Sequence, residues 1–227
     1  MKTSTHFVNR TGQLTLLSGI IAFASVLLIS LAVNFNFECF SNAALIFDGL
    51  QSAHITYFRW GMITDIWGFY LLFVPAVLYL HAKMESPFRH IYAVCGIAYS
   101  IIGAIGAAVL AATGTHFLWE YLGAETGHQA EMKSHFLLIF NMVNDGLWNL
   151  LEMGIFGVFM LGAAPVLRHK SKPLYWLTIL LGIAGILDTL GHTIEVPILS
   201  DIGLNFYLFF EPVWAIVLGM LWMREKA

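Results

Sequence analysis

Charge is what this sequence has least of. Of its 227 residues only 11% are Asp, Glu, Lys or Arg, against about 25% in a soluble domain, while 59% are apolar and 15% aromatic. That balance excludes a soluble globular domain, and disorder with it, because disorder needs low hydrophobicity. Nucleic-acid binding needs a clustered basic face, which a formal charge of -3 does not offer. Cysteine is scarce too, with Cys39 in a predicted loop and Cys95 near the opposite end of a predicted helix. Depth separates the two beyond disulfide reach, and Cys95 reads as a small packing residue. Motifs that carry familiar chemistry are missing as well. There is no His-Glu-x-x-His, no paired Glu-x-x-His, no nucleophilic Ser motif, no phosphate-cradling glycine loop and no dinucleotide fingerprint.

What is present is a set of long apolar runs. A bilayer core takes about 20 apolar residues per helix, and six runs of that order are bounded by charge, proline or polar clusters: approximately 13–33, 60–80, 91–112, 136–161, 174–194 and 206–222. The expected fold is all-α, a single integral membrane domain over 1–227 made of a six-transmembrane-helix bundle. The first run is longer than the 7 to 15 residues typical of a signal-peptide core, and no small-residue cleavage site follows it, so it is expected to be retained. Orientation follows from the cations, which cytoplasmic loops keep. Lys2, Arg10, Lys83, Arg89, Arg168, Lys170, Lys172, Arg224 and Lys226 fall on one side, and only Arg59 and Lys133 on the other. Both termini are therefore expected to be cytoplasmic. Tyr57, Trp60, Tyr175, Trp176 and Trp222 stand at run ends, where an interfacial aromatic belt is expected.

The two longer outer loops, 34–59 and 113–133, carry helical patterning of their own. From Ser41, a plausible N-cap, the spacing of Leu45, Ile46, Leu50 and Ala53 predicts a short interfacial helix, a connector or a lid. Gly96, Ser100, Gly103, Gly106, Ala107 and their small neighbours mark the third run as the expected central packing helix. Pro75 and Pro212 each free a backbone carbonyl one turn earlier, and Pro212 directly follows an intramembrane acid.

Asp65, Asp145, Glu152, Asp188 and Glu211 lie inside the runs, and each costs about 2.5–3.5 kcal/mol at mid-membrane on the lenient insertion scale. Counting about 1.5 Å per residue from the outer end of each run puts Asp65 and Glu211 roughly 8 Å deep, Asp188 roughly 9 Å, Asp145 roughly 14 Å and Glu152 about 24 Å. Four acids from four helices are thus expected at one outer level, with Glu152 the next station inward. His192 stands one turn from Asp188 on the same stripe, and Asn141, Asp145, Asn149 and Glu152 form a second stripe. Three acids are followed closely by tryptophan, as Asp65 by Trp67, Asp145 by Trp148 and Glu211 by Trp214. Those rings are expected to line the same cavity, where aromatic faces beside carboxylates suit a cationic ligand, or else to fill space between helices. Arg59, at the mouth of the second run, is the nearest fixed cation and reads as a gate or counter-ion. The acids therefore require protons, a shared cation or an outward-open, hydrated vestibule, or else local hydrogen-bond partners that lock the packing.

A metal centre is the competing arrangement. His116, His135 and His192 end or begin three runs at the outer level, with His128 between the first two. With Asp188 they would suit a zinc that activates water, a plan resembling intramembrane ceramidase-type hydrolases, or two of them a haem. No cofactor is expected outside that alternative.

The segment Phe58-Arg59-Trp60-Gly61-Met62-Ile63-Thr64-Asp65 and the small-residue third run, then Asn144-Asp145-Gly146-Leu147-Trp148, Leu181-Gly182-Ile183-Ala184-Gly185 leading to Asp188, Pro197, and Glu211 with Trp214, carry a likeness. From about Leu14 to Met223 the chain resembles a bacterial family of integral membrane proteins catalogued as domain of unknown function 4386. Glu152 and the Phe-rich first outer loop stand outside the resemblance. It implies a multi-pass protein of the bacterial plasma (inner) membrane and carries over no activity. The leading functional expectation is binding or transport of a small cationic or proton-coupled solute through an outward-facing acidic site of Asp65, Asp145, Asp188, Glu211, His192 and Glu152. The alternatives are an intramembrane metal-dependent lipid hydrolase and a non-catalytic subunit of a membrane complex. The expected partners are the lipid bilayer, a small molecule or ion, and a second copy in a homo-oligomer.

Overall fold

The computed structural model describes residues 5–224, so Lys2 and Lys226 lie outside the described residues. Six helices are long and apolar enough to cross a membrane: α1 (Thr5–Ala32), α2 (Ser52–Lys83), α3 (Arg89–Gly123), α4 (Thr126–Leu167), α5 (Lys172–Thr193) and α6 (Pro197–Arg224). No strand occurs among the described residues. Each helix packs on the next in the chain, and α6 returns to α1, so the six close into an up-and-down ring. The ends of α1 and α6 that carry the termini share one face, here the terminal face; the opposite, distal face is the one the sequence reading takes as outer.

Polarity in the ring is inverted relative to a soluble bundle. On α1, Thr11, Thr15, Ser18, Ala22 and Ser25 are buried, whereas Leu14, Leu17, Ile20 and Leu27 are exposed. The buried set recurs at four- and three-residue steps and so forms one seam of small and hydroxyl residues. Small seams let backbones approach closely, and large apolar side chains facing outward suit lipid rather than water. Backbones come close where α1 crosses α6: a Cβ on Gly19 would stand 2.5 Å from the Pro212 carbonyl oxygen, so only glycine fits. The hydroxyls of the seam close the α1–α2 contact, with Ser18 donating to the Gly68 carbonyl and Ser25 to that of Gly61.

Aromatic side chains fill the terminal half of the ring, where Phe73, Tyr99, Phe156, Phe159 and Trp214 are all fully buried. Trp222, expected in the interfacial belt, is buried in this core with its ring centroid 4.5 Å from that of Tyr79. Tyr57 and Trp60 are exposed in the distal part of α2, Trp176 is exposed near the start of α5, and Tyr175 beside it is half-buried. Nor is α3 a central helix, since a closed ring has none. Its small residues instead receive side chains, Gly96 that of Phe159, Gly103 that of Tyr70 and Gly106 that of Trp148.

On the distal side the helices run further than the hydropathy runs. α2 starts at Ser52, and α3 and α4 meet across Ala124 and Glu125, so the end of the first long loop and most of the second are helix. At about 1.5 Å per residue, the 42 residues of α4 far exceed the roughly 30 Å hydrocarbon core, so the α3–α4 hairpin stands proud of it. The helix expected from Ser41 does not form. Asn34 and Phe35 take left-handed backbone (φ 52° and 57°) and turn the chain back across the ring. Two 3-10 turns follow, Phe37–Phe40 and Ala43–Phe47, and Ser41 closes the first rather than opening a helix. This cap packs Phe47 against Phe136 and Tyr121. Cys39 is buried beneath it, and burial together with nearby Asp48 pushes its thiol up from the ordinary range. Cys39 and Cys95 are both free.

Candidate functional site: an acidic chamber beneath an open vestibule

Between the aromatic core and the cap, the ring encloses a chamber of about 80 Å³ bordered by Asp65 of α2 and Glu152 of α4. Above it lies a vestibule of about 460 Å³, bordered by Asp145, His192, Glu195 and Asp201. Phe37, Phe40, Asn144, Asn149, Leu204 and Leu208 border both and form the neck between them. Neither wall includes Lys or Arg.

Two π-helical stretches aim residues into this space. In α2 the stretch Ile66–Leu71 carries Phe69 and Tyr70, which border the chamber. In α4 the stretch Met142–Glu152 widens the turn, and i→i+5 bonding brings residues five apart to one side. Asn144 and Asn149 are therefore both buried at the neck, whereas Asn141 and Asp145, members of the α-helical stripe, are exposed. Asn144 donates to the Phe40 carbonyl (3.3 Å) and to Asp145 (2.8 Å), tying the cap to α4. The Asn149 carbonyl, inside the disturbed ladder, accepts from the Thr189 hydroxyl at 2.9 Å.

The carboxyls are held unequally. Asp65 lies 3.2 Å from the Ser25 hydroxyl, which also donates to the Gly61 carbonyl at 2.9 Å. Glu152 accepts from the Tyr70 hydroxyl at 3.4 Å. Asp188 accepts from Ser200 at 2.5 Å, and one oxygen lies 3.7 Å from the His192 ring, but its second oxygen is sealed with no hydrogen-bond partner among the described residues. Glu211 is wholly buried, and neither of its oxygens has a hydrogen-bond partner among the described residues. Asp65 and Glu152 border one chamber, so a charge on either acts on the other. An ionised carboxylate left unpaired in such an interior costs several kcal/mol. Negative charge in this stack therefore has to be balanced by a proton or by a cation.

The acids do not share one level. Ser200 is level with Asp188, and Glu211 follows it eleven residues later, about 16 Å deeper along α6. The expected depths were counted from Phe206 and Trp60, but α6 begins at Pro197 and α2 at Ser52. Asp145 belongs to the vestibule, and Glu152, expected apart from the rest, faces the same chamber as Asp65. Arg59 is exposed on α2 and borders neither space. The three tryptophans separate as well. Trp148 borders the chamber, and Trp214 is buried in the core with its indole donating to Thr178 at 2.7 Å. Trp67 is 51% exposed on the outer wall, because two residues past Asp65 is about 200° around a helix.

His116, His128 and His135 border a groove on the α3–α4 hairpin, whereas His192 and Asp188 belong to the α5–α6 side. Among the described residues no three His, Cys, Asp or Glu side chains stand together as a metal-ligand group. Several site residues were not anticipated: Ser25, Tyr70, Asn144, Tyr207 and Ser200. The α1 seam carried a readable signal for Ser25, and tyrosines deep within apolar spans carry a hydroxyl that needs a partner when buried.

No family model, no curated protein and no solved structure matches the chain. Its fold and surface fit a multi-pass membrane protein in a lipid bilayer.

Proposed function

We propose that this protein binds a small organic cation entering from the distal face and carries it into the ring. The observation that supports this reading is a chamber with two carboxyls, Asp65 and Glu152, that shares wall residues, Phe37 and Phe40 among them, with an acidic vestibule, neither having Lys or Arg on its walls. Asp145, Glu195 and Asp201 raise the local concentration of cations, and Phe40, Tyr70 and Trp148 offer ring faces to an ammonium group. Asp65 and Glu152 hold the charge. The cation bias of the loops supports cytoplasmic termini, so that the vestibule faces outward. A hydrolase centred on His116, His135 and His192 would need those rings side by side, and they border separate cavities.

The test is isothermal titration of benzylammonium into the full chain in lipid nanodiscs. Saturable binding is expected. Asp65→Asn and Glu152→Gln are each expected to weaken it about tenfold or more, as loss of a buried charge partner does, and Asp145→Asn at the open mouth far less. Wild-type protein that binds no benzylammonium, or Asp65→Asn protein that binds it unchanged, overturns the reading.

A further inference from the structure

Glu211 borders neither the chamber nor the vestibule, yet its helix face leads straight to the first of these. Leu204, Tyr207 and Leu208 all border the chamber, and residues three, four and seven apart lie on one stripe of a helix. Glu211 thus stands one turn beneath the chamber floor. That floor contains a pair of tyrosines. The Tyr99 and Tyr207 hydroxyls are 2.7 Å apart, and Tyr99 also donates to the Phe69 carbonyl at 3.2 Å. With Tyr99 donating there, Tyr207 has to donate to Tyr99, and neither proton is left for Glu211. Its two oxygens remain sealed, with no hydrogen-bond partner among the described residues.

The titratable groups on the helices around it, from this level up to Asp188, are Asp65 and Tyr70 from α2, Tyr99 from α3, Glu152 from α4 and Asp188 from α5, with Tyr207 on α6 itself; His192 stands one turn beyond Asp188, 3.7 Å from it. α1 contributes Ser18 and Ser25 and no titratable residue between them. None of these groups is a Lys or Arg that could pair with an ionised Glu211. Pro212, the next residue, withholds the N–H that would bond the Leu208 carbonyl, a break at which α6 can bend and bring water to the sealed carboxyl.

We propose that Glu211 is a proton-exchange site linked to the chamber, holding a proton while the chamber is empty and releasing it when a cation sits between Asp65 and Glu152. The inference rests on the cation-binding reading above. The exchange balances: the carboxylic acid loses one proton to solvent, the bound cation brings one positive charge, and the net charge of the interior is unchanged. The protein would then exchange an organic cation for a proton, one for one.

The experiment titrates benzylammonium into nanodisc-embedded full-length protein in two buffers of different ionisation heat, which reads protons released per cation bound. Wild-type protein is expected to release about one proton more than Glu211→Gln, while Glu211→Asp keeps the release. Infrared difference spectra on adding benzylammonium are expected to lose the high-frequency carbonyl band of a carboxylic acid free of hydrogen bonds, and Glu211→Gln to lack that band from the start. Should Glu211→Gln fail to fold, the wild-type band and the Glu211→Asp proton count carry the test. Binding with the same proton count in wild type and Glu211→Gln, or a wild-type spectrum with no such band, overturns the exchange and leaves cation binding standing. Absence of any benzylammonium binding overturns both.

Discussion

At the scale of single residues, the position of Tyr70 is set by what α3 lacks opposite it. A Cβ on Gly103 would stand 1.9 Å from the Tyr70 ring, so the ring occupies the space that any larger residue would fill. Gly103→Ala is expected to push Tyr70 off Glu152 and to destabilise the protein by about 1–3 kcal/mol, the cost of overpacking a tight contact. Unfolding in detergent measures this, with Gly146→Ala as the control, since a Cβ there meets nothing within 4 Å. An unchanged Gly103→Ala protein would mean that Tyr70 is not held by this contact. Which acids matter was readable from their cost in a membrane; which aromatic rings stand beside them was not. Trp67 and Trp148 follow their acids at similar distance in the sequence, yet a step of two and a step of three residues point to different sides of a helix, and only Trp148 reaches the chamber.

At the scale of helices, the site depends on a departure from the 3.6-residue repeat. The π-helical stretch of α4 turns Asn144 and Asn149 inward and leaves Asp145 at the mouth. Such a stretch weakens the backbone ladder, and the Thr189 hydroxyl of α5 compensates at the Asn149 carbonyl. Thr189→Val, which keeps the shape and removes the donor, is expected to cost about 1–3 kcal/mol and to weaken benzylammonium binding, whereas Thr193→Val on the exposed turn beyond it should leave both unchanged. Equal effects of the two would separate Thr189 from the site. Sequence reasoning located all six helices, because 20-residue apolar runs have few other uses. It misjudged where they begin. Hydropathy marks where lipid contact stops, and α2, α3, α4 and α6 all continue past that point with polar residues on one face. The depths of the acids inherited that error, and the π-helical stretches, which have no signature in a 3.6-residue count, added a second.

At the scale of the molecule, the exposed surface is apolar where a bilayer would touch it, with Val94, Leu138 and Ile198 each more than 60% exposed. The loops differ in charge: Arg168, Lys170 and Lys172 cluster between α4 and α5, whereas Ala124 and Glu125 join α3 to α4. Alkaline phosphatase inserted at Ala124 is expected to be active and the same enzyme inserted at Lys170 inactive, since phosphatase works only once exported; the reverse result would turn the vestibule toward the cytoplasm. The closing contact of the ring joins α1 to α6, the later of the two to be made. While the nascent chain is still being synthesised, the hydroxyl-bearing seam of α1 has α2 on one flank and nothing on the other, and no chamber exists. Insertion is therefore stepwise but completion is abrupt: the interior acids are walled off from lipid only when α6 arrives, carrying Glu211 with it.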